Sequence, residues 1–319
     1  MKILALNEIP KGKKSVICIG VFDGVHAGHR KIILYATEKA GDAGAQSIAV
    51  TFEPHPEEVF SKSTILRLTS ASEKAELINE INPDFLIRLP FDLEMASLEP
   101  EEFIGALLEN IDVQTIVVGA NFHFGKKASG DTETLKALGE KYGFGVSVVP
   151  LFEIDGLPVS STRIKEALAK GQIDLAAKLL ERNPDVTGKV VKGSGRGKEM
   201  GFPTVNIELE NVVLLPMDGV YGGFISFKSS VIASDQRECG NLKFFCAISI
   251  GNQPTFDGKK RSLEAFILDF HGQVYGEEAT VEFAFFVRPQ KRFESKEALV
   301  SQIQKDVELI NQKLIIQDP

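Results

Sequence analysis

Only three cysteines occur in 319 residues, Cys18, Cys239 and Cys246, and they lack paired metal-ligand spacing. They sit mostly in apolar runs, so small buried core residues are expected rather than a disulfide framework or a metal cage. No apolar run approaches the roughly 20 residues of a membrane span, so no membrane partner is expected. The opening MKILALNEIPKGKKS turns charged too soon for a secretory signal, and a cytoplasmic location is the simplest expectation. Positive charge is also in short supply. A net charge of −8 argues against a general nucleic-acid surface, which needs a basic face. Repeats and low-complexity tracts are missing as well.

The remaining composition, 43% hydrophobic and 25% charged, is that of an ordinary globular protein long enough for two domains. The first half alternates strand-like runs (16–19, 48–52, 85–89, 115–118 and 146–149) with helix-like stretches (31–40, 72–81, 100–110 and 132–142). Val/Ile-rich strands separated by helices predict a parallel sheet covered on both faces. A further helical stretch, 161–180, closes this half, and Asn183–Pro184 marks a break. From Val186 short alternating segments follow at 188–191, 204–207, 220–227, 244–250, 263–270 and 280–287. They predict a small antiparallel barrel, followed by one helix over 295–314 with Leu299, Ile303, Val307 and Ile310 near helical spacing. Domains are therefore expected at 1–183 and 186–319.

One stretch organises the first half: GVFDGVHAGH, Gly20–His29, between the apolar run SVICIG and a helical segment. A glycine-punctuated turn into a helix start offers backbone N–H groups and the positive end of the dipole to a phosphate. Gly28 has no Cβ and allows close approach. His26 and His29, three apart, are expected on one face of the helix's first turn. Taken alone, the pair fits either a phosphate site or a structural role.

Three further stretches belong with it. TFEPHP (51–56) and VGANFHFGKKASGD (118–131) each follow a predicted strand, and VSSTRIKEAL (159–168) places hydroxyls at a helix start. Ser160, Ser161 or Thr162 can cap that helix, and Arg163 and Lys165 could neutralise phosphate charge. In the second half, residues 187–207 hold five glycines and four cations, then GFPTVN. Thr204 and Asn206 alternate in a strand and so share a face. Glu264 interrupts the apolar run LEAFILDF, either as a needed carboxylate or as a solvent-facing strand position.

GVFDGVHAGH with SSTRIKEAL looks like the nucleotidyltransferase signature pair. With TFEPHP and NFHFG, the first half is similar to the adenylyltransferase module of prokaryotic riboflavin kinase/FAD synthetase. The second half resembles the riboflavin kinase module through its Gly-rich loop, GFPTVN, LPMDGVYGG, SIGNQPTF, SLEAFILDF and VRPQKRF. The resemblance implies a Rossmann-like nucleotidyltransferase domain and a kinase barrel with a terminal helix. It implies ATP, riboflavin and FMN as substrates, with Mg²⁺, and two reactions: phosphorylation of riboflavin and adenylylation of FMN. His26 and His29 would bind the ATP phosphates, with Gly20, Phe22, Asp23, Gly28 and Asn121 helping to place the nucleotide. Ser160, Ser161, Thr162, Arg163 and Lys165 would serve that site too, with Lys165 standing where many relatives have arginine. In the barrel, Gly193, Gly195, Gly197, Lys198, Gly201 and Asn206 would hold ATP, Thr204 the metal, and Glu264 would be the general base. Asn311 stands where many relatives carry an arginine of the flavin site, and Ser249 and Gln253 also depart from the commoner pattern. A one-activity FAD synthetase and a non-catalytic flavin or nucleotide sensor are the alternative readings.

Overall fold

A computed structural model describes residues 1–61, 64–193, 197, 200–210, 212–228, 243–255, 258–270 and 272–317, with the backbone alone at 252–255, 258–260 and 316–317. The chain divides into two compact units, residues 1–161 and 162–319.

The first unit is built on strands β1 (Lys2–Leu4), β2 (Ser15–Ile19), β3 (Gln46–Glu53), β4 (Phe85–Pro90), β5 (Val113–Gly119) and β6 (Gly145–Val149). They form one parallel sheet in the order β1-β4-β3-β2-β5-β6. Its helices are α1 (Ala27–Asp42), the short α2 (Pro56–Phe60), α3 (Ala71–Ile81), α4 (Pro100–Leu108) and α5 (Thr132–Tyr142). All five residues of β2 are buried. Ile17 and Ile19 point into a cluster with Phe103, Leu107, Leu135 and Leu138 of α4 and α5. Val16 and Cys18 point the other way, against Ile33, Ala36 and Ile78 of α1 and α3. A strand with apolar neighbours on both faces needs the continuous apolar run seen in its sequence. The sheet reverses strand order between β2 and β5, and open α/β sheets bind ligands at such a point, beyond the strands' carboxyl ends. Burial pushes the Cys18 thiol up to about 12, so it stays a protonated core residue. After β6 a hairpin of two-residue strands, β7 (Glu153–Ile154) and β8 (Leu157–Pro158), leads to Ser161.

The second unit begins with α6 (Ser161–Ala169), whose first residue still counts with the first unit, and α7 (Ile173–Leu180). The expected single helix over 161–180 is thus two, separated at Gly171, where φ is +67°. Six strands follow: β9 (Asp185–Val191), β10 (Thr204–Glu208), β11 (Gly219–Phe227), β12 (Phe244–Thr255), β13 (Gly258–Ile267) and β14 (Glu278–Pro289). They close a barrel in the order β10-β13-β12-β11-β14-β9, antiparallel throughout. Val190, Ile207, Tyr221, Ile225, Ile248, Leu263 and Phe283 are buried. The last helix, α8 (Lys296–Gln317), lays Ile310 and Leu314 against Val220, Ala284 and Phe285 on the barrel's outside. Arg288 of β14 anchors it: Nε and Nη2 both donate to Oδ2 of buried Asp306, at 2.9 and 2.7 Å. Cys246 is buried in β12, whereas Cys239 lies outside the described residues.

Candidate active sites

The decapeptide leaves β2 at Gly20 and turns sharply. Phe22 and Val25 adopt positive φ (54° and 39°), a region L side chains resist, and Gly24 joins them at 81°. Gly20 is required by close approach, because a Cβ there would lie 2.6 Å from the Phe22 ring. Asp23 is buried, and its Oδ1 accepts from the Leu68 N–H at 2.8 Å.

His26 corrects the sequence expectation of two histidines within the first helical turn. It is the N-cap of α1, extended at φ −70° and ψ 172°, with Nδ1 accepting from the His29 N–H at 3.3 Å. The two rings nonetheless come together, stacked with centroids 3.6 Å apart. Gly28 makes room for this: a Cβ would meet the His26 ring at 3.3 Å. Burial, then the charges of His26 and Lys74, hold the His29 pKa well below the ordinary histidine value, so its imidazole is neutral near pH 7.

One neighbouring segment reaches this turn. Ser161 Oγ donates to the Asp23 carbonyl at 2.9 Å, which ties the end of the β7–β8 hairpin to the decapeptide. Asn121 is exposed just beyond β5, the strand next to β2, and its Oδ1 folds back towards Gly119. Ser160 lies one residue before that tether, while Thr162, Arg163 and Lys165 fall in the second unit on α6. His55 of TFEPHP caps α2, its Nδ1 accepting from the Glu57 N–H at 3.2 Å.

A second cluster beside the turn was not legible in the sequence. Lys74 is buried, and its Nζ donates to the carbonyls of Val21 (3.4 Å) and Phe52 (3.3 Å). It also lies 3.7 Å from Glu53 Oε2, and Arg67 Nη1 donates to Glu53 Oε1 at 2.8 Å. Burial lowers the Lys74 pKa against the opposing pull of Glu53. For Arg67 burial also disfavours the charge, but its hydrogen bonds to Glu58 and Glu53 outweigh this and raise its pKa. These contacts join residues up to 53 apart in sequence, which no local pattern reveals.

In the barrel, Asn206 of β10 pairs directly with Glu264 of β13, and Glu264 with Ser249 of β12. Thr204 Oγ1 donates to Glu264 Oε2 at 3.2 Å. Around Glu264 the strand alternates, with Leu263, Ala265 and Ile267 buried and Glu264 and Phe266 half-buried. The carboxylate faces away from the barrel core, in contact with Thr204. Ser249 accepts from Gln290 Nε2 at 3.0 Å, which extends the polar lane, and Asn311 is half-buried on α8. The glycines behind these groups are tightly placed. A Cβ at Gly193 would lie 2.0 Å from Asn206 Nδ2, and one at Gly197 would lie 3.2 Å from Thr204 Oγ1. Gly201 turns with φ +85°. Gly195, Lys198 and the Gln253 side chain lie outside the described residues.

Beside Thr204 opens a cavity of about 320 Å³, lined among others by Gly201, Pro203, Phe266, Phe270 and Tyr275. Aromatic walls next to a glycine-rich turn suit a flat heteroaromatic ring whose polar tail reaches the turn.

A family model described as FAD synthetase matches residues 8–163, and one described as riboflavin kinase matches residues 180–314. The bifunctional riboflavin kinase/FMN adenylyltransferase of Listeria monocytogenes is 33% identical over 294 residues, 91% of this chain and 90% of its own. Its counterpart in Pseudomonas fluorescens is 36% identical over 303 residues, 94% and 93% of the two chains. A crystal structure described as a macrolide-efflux protein from Streptococcus pneumoniae matches with a TM-score of 0.86 at 27% identity, over 98% of this chain and 99% of that one. Among the described residues, no helix of this chain is long and apolar enough to cross a membrane.

Proposed function

The chain belongs to the bifunctional riboflavin kinase/FMN adenylyltransferase family, and from that premise we propose that it makes FMN from riboflavin and ATP, then FAD from FMN and ATP. The observation that carries this reading is that each compact unit has its own family match and its own polar site.

At the barrel, Glu264 takes the proton of a ribityl hydroxyl as that oxygen attacks the γ-phosphorus of ATP, and ADP leaves. An alcohol is a weak nucleophile, and a carboxylate held in place is the group that helps it. Thr204, whose Oγ1 donates to Glu264 Oε2 at 3.2 Å, orients that carboxylate. The adenine ring occupies the aromatic cavity, and Gly193, Gly197 and Gly201 let the phosphates approach the main chain. Thr204 and Asn206 offer neutral oxygen donors on one strand face, the hard ligands that suit Mg²⁺ shared with ATP phosphates. Bound there, Mg²⁺ would supply charge neutralisation at the phosphates.

At the parallel-sheet unit the nucleophile is the FMN phosphate, already ionised, so no general base is needed. Its oxygen attacks the α-phosphorus of ATP and pyrophosphate leaves. The protein's task is positioning and charge stabilisation. His26 and the neutral His29 serve as hydrogen-bonding groups to the ATP phosphates beside the start of α1. We place both reactions in the cytoplasm.

Supplying riboflavin and FMN in separate reactions, each with ATP and Mg²⁺, tests this directly. FMN followed by FAD is expected from the first, and FAD from the second. FAD from FMN alone would reduce the barrel to a flavin-binding module, and no conversion of either would end the proposal.

A further inference from the structure

The segment Arg67–Lys74, which follows α2 and runs into the first turn of α3, belongs to none of the motifs that mark the first site, yet it grips that site's turn from three positions. The Leu68 N–H donates to Asp23 Oδ1 at 2.8 Å. Thr69 Oγ1 accepts from the Gly24 N–H at 3.2 Å. Lys74 Nζ donates to the Val21 carbonyl at 3.4 Å and to the Phe52 carbonyl at 3.3 Å. The two carbonyls lie where neighbouring parallel strands β2 and β3 run out, so one ammonium bridges the floor of the site. Leu68 packs under the same turn, since a Cβ on Gly24 would lie 2.6 Å from its Cδ1.

Two non-glycine residues of this turn, Phe22 and Val25, are held at positive φ. Such backbone persists only where its surroundings over-determine it. Burying a lysine is itself unfavourable unless its charge is matched. Here it is matched by Glu53, which Arg67 in turn holds at 2.8 Å. Maintaining a charged group in this position to cap two carbonyls is costly for a purely structural brace, which an apolar side chain could replace. The carbonyls it grips carry the turn that presents His26 and His29.

We infer that Lys74 is a positioning residue for FMN adenylylation, fixing through the Val21 and Phe52 carbonyls the strained turn from which His26 and His29 are presented. Resting on the function proposed above, the inference concerns alignment rather than substrate affinity. Loss of Lys74 therefore lowers kcat and leaves KM nearly unchanged.

The test uses the full chain as Lys74→Met, Lys74→Arg and Thr69→Val, with FAD formation from FMN measured across ATP concentrations. Thermal melting of each variant reports whether its parallel-sheet unit is folded, and riboflavin phosphorylation by the same preparations reports that the barrel is intact. For Lys74→Met a fall in kcat of about 30-fold or more is expected, with the ATP KM moving less than about threefold and FMN formation unchanged. Lys74→Arg, which keeps the charge and the donors, is expected to recover most of that kcat. Thr69→Val, which removes one contact on the turn and no charge, is expected to lower kcat by about three- to tenfold. A Lys74→Met kcat within about threefold of the unsubstituted chain would overturn the inference, as would a loss that resides wholly in KM. Should Lys74→Met lose both activities, Thr69→Val decides: an unchanged kcat overturns the inference, and a lowered one supports it. Absence of FAD formation in the unsubstituted chain would instead overturn the function on which the inference rests.

Discussion

Glu264 and His29, to which the proposed function gives different reactions, have different surroundings. Glu264 is half-buried and accepts a hydrogen bond from Thr204, which lines the cavity of about 320 Å³. Glu264→Gln keeps the shape and loses the base. FMN formation is expected to fall by about 10²- to 10⁴-fold, while FAD formation from supplied FMN continues. His29→Ala is expected to do the reverse, and separating the flavins after each reaction reads both. The burial of His29 also has a consequence for stability. The folded state keeps it neutral, while the unfolded chain takes up a proton around the ordinary value of 6.5. The unfolded state then binds more protons as pH falls, so stability is lost on the acid side of about 6.5, at no more than about 1.4 kcal/mol per pH unit. Thermal melting between about pH 7 and pH 5.5 is expected to show this loss, reduced in His29→Ala. At this scale the sequence revealed the residue types and the shared face of Thr204 and Asn206. It did not reveal that His26 is a cap, because histidine is not among the favoured capping residues. Nor could it pair Glu264 with Asn206, which depends on the register of β10 against β13.

Among the elements, strand and helix types were most legible where a pattern ran long. β2 to β6 are each built around a short run rich in Val, Ile or Leu, and α5 begins and ends where its sequence signals do, at Asp131 and Gly143. β1, with three residues, and the two-residue strands of the β7–β8 hairpin are too short to carry a period. The break between α6 and α7 was missed because a lone glycine is tolerated inside many helical patterns. Gly223 shows what an element boundary cannot reveal. A Cβ there would lie 1.9 Å from the Glu282 carbonyl, at an irregularity in the β11–β14 pairing. Gly223→Ala is expected to cost about 3 kcal/mol or more by urea melting, and FMN formation with it. Docking of α8 rests on a different contact. Arg288→Met strands buried Asp306, leaving it Gln302 as a partner at 2.8 Å, and is expected to destabilise the barrel by about 3 kcal/mol. Urea melting reads this as well.

For the whole molecule, two family matches and two compact units make one chain carry successive reactions, the product of the barrel being the acceptor at the parallel sheet. Composition alone supported two domains, and the change from strand–helix alternation to short strands placed the two architectures. The order of the reactions was not legible from either half separately, because a phosphate-binding turn does not specify its acceptor. The most direct measurement mixes equal amounts of Glu264→Gln and His29→Ala chains with riboflavin, ATP and Mg²⁺ and follows FAD. Neither variant alone is expected to form FAD, and the mixture is expected to form it through FMN released by the His29→Ala chain. A mixture of folded variants that forms none would contradict two independent sites on one chain.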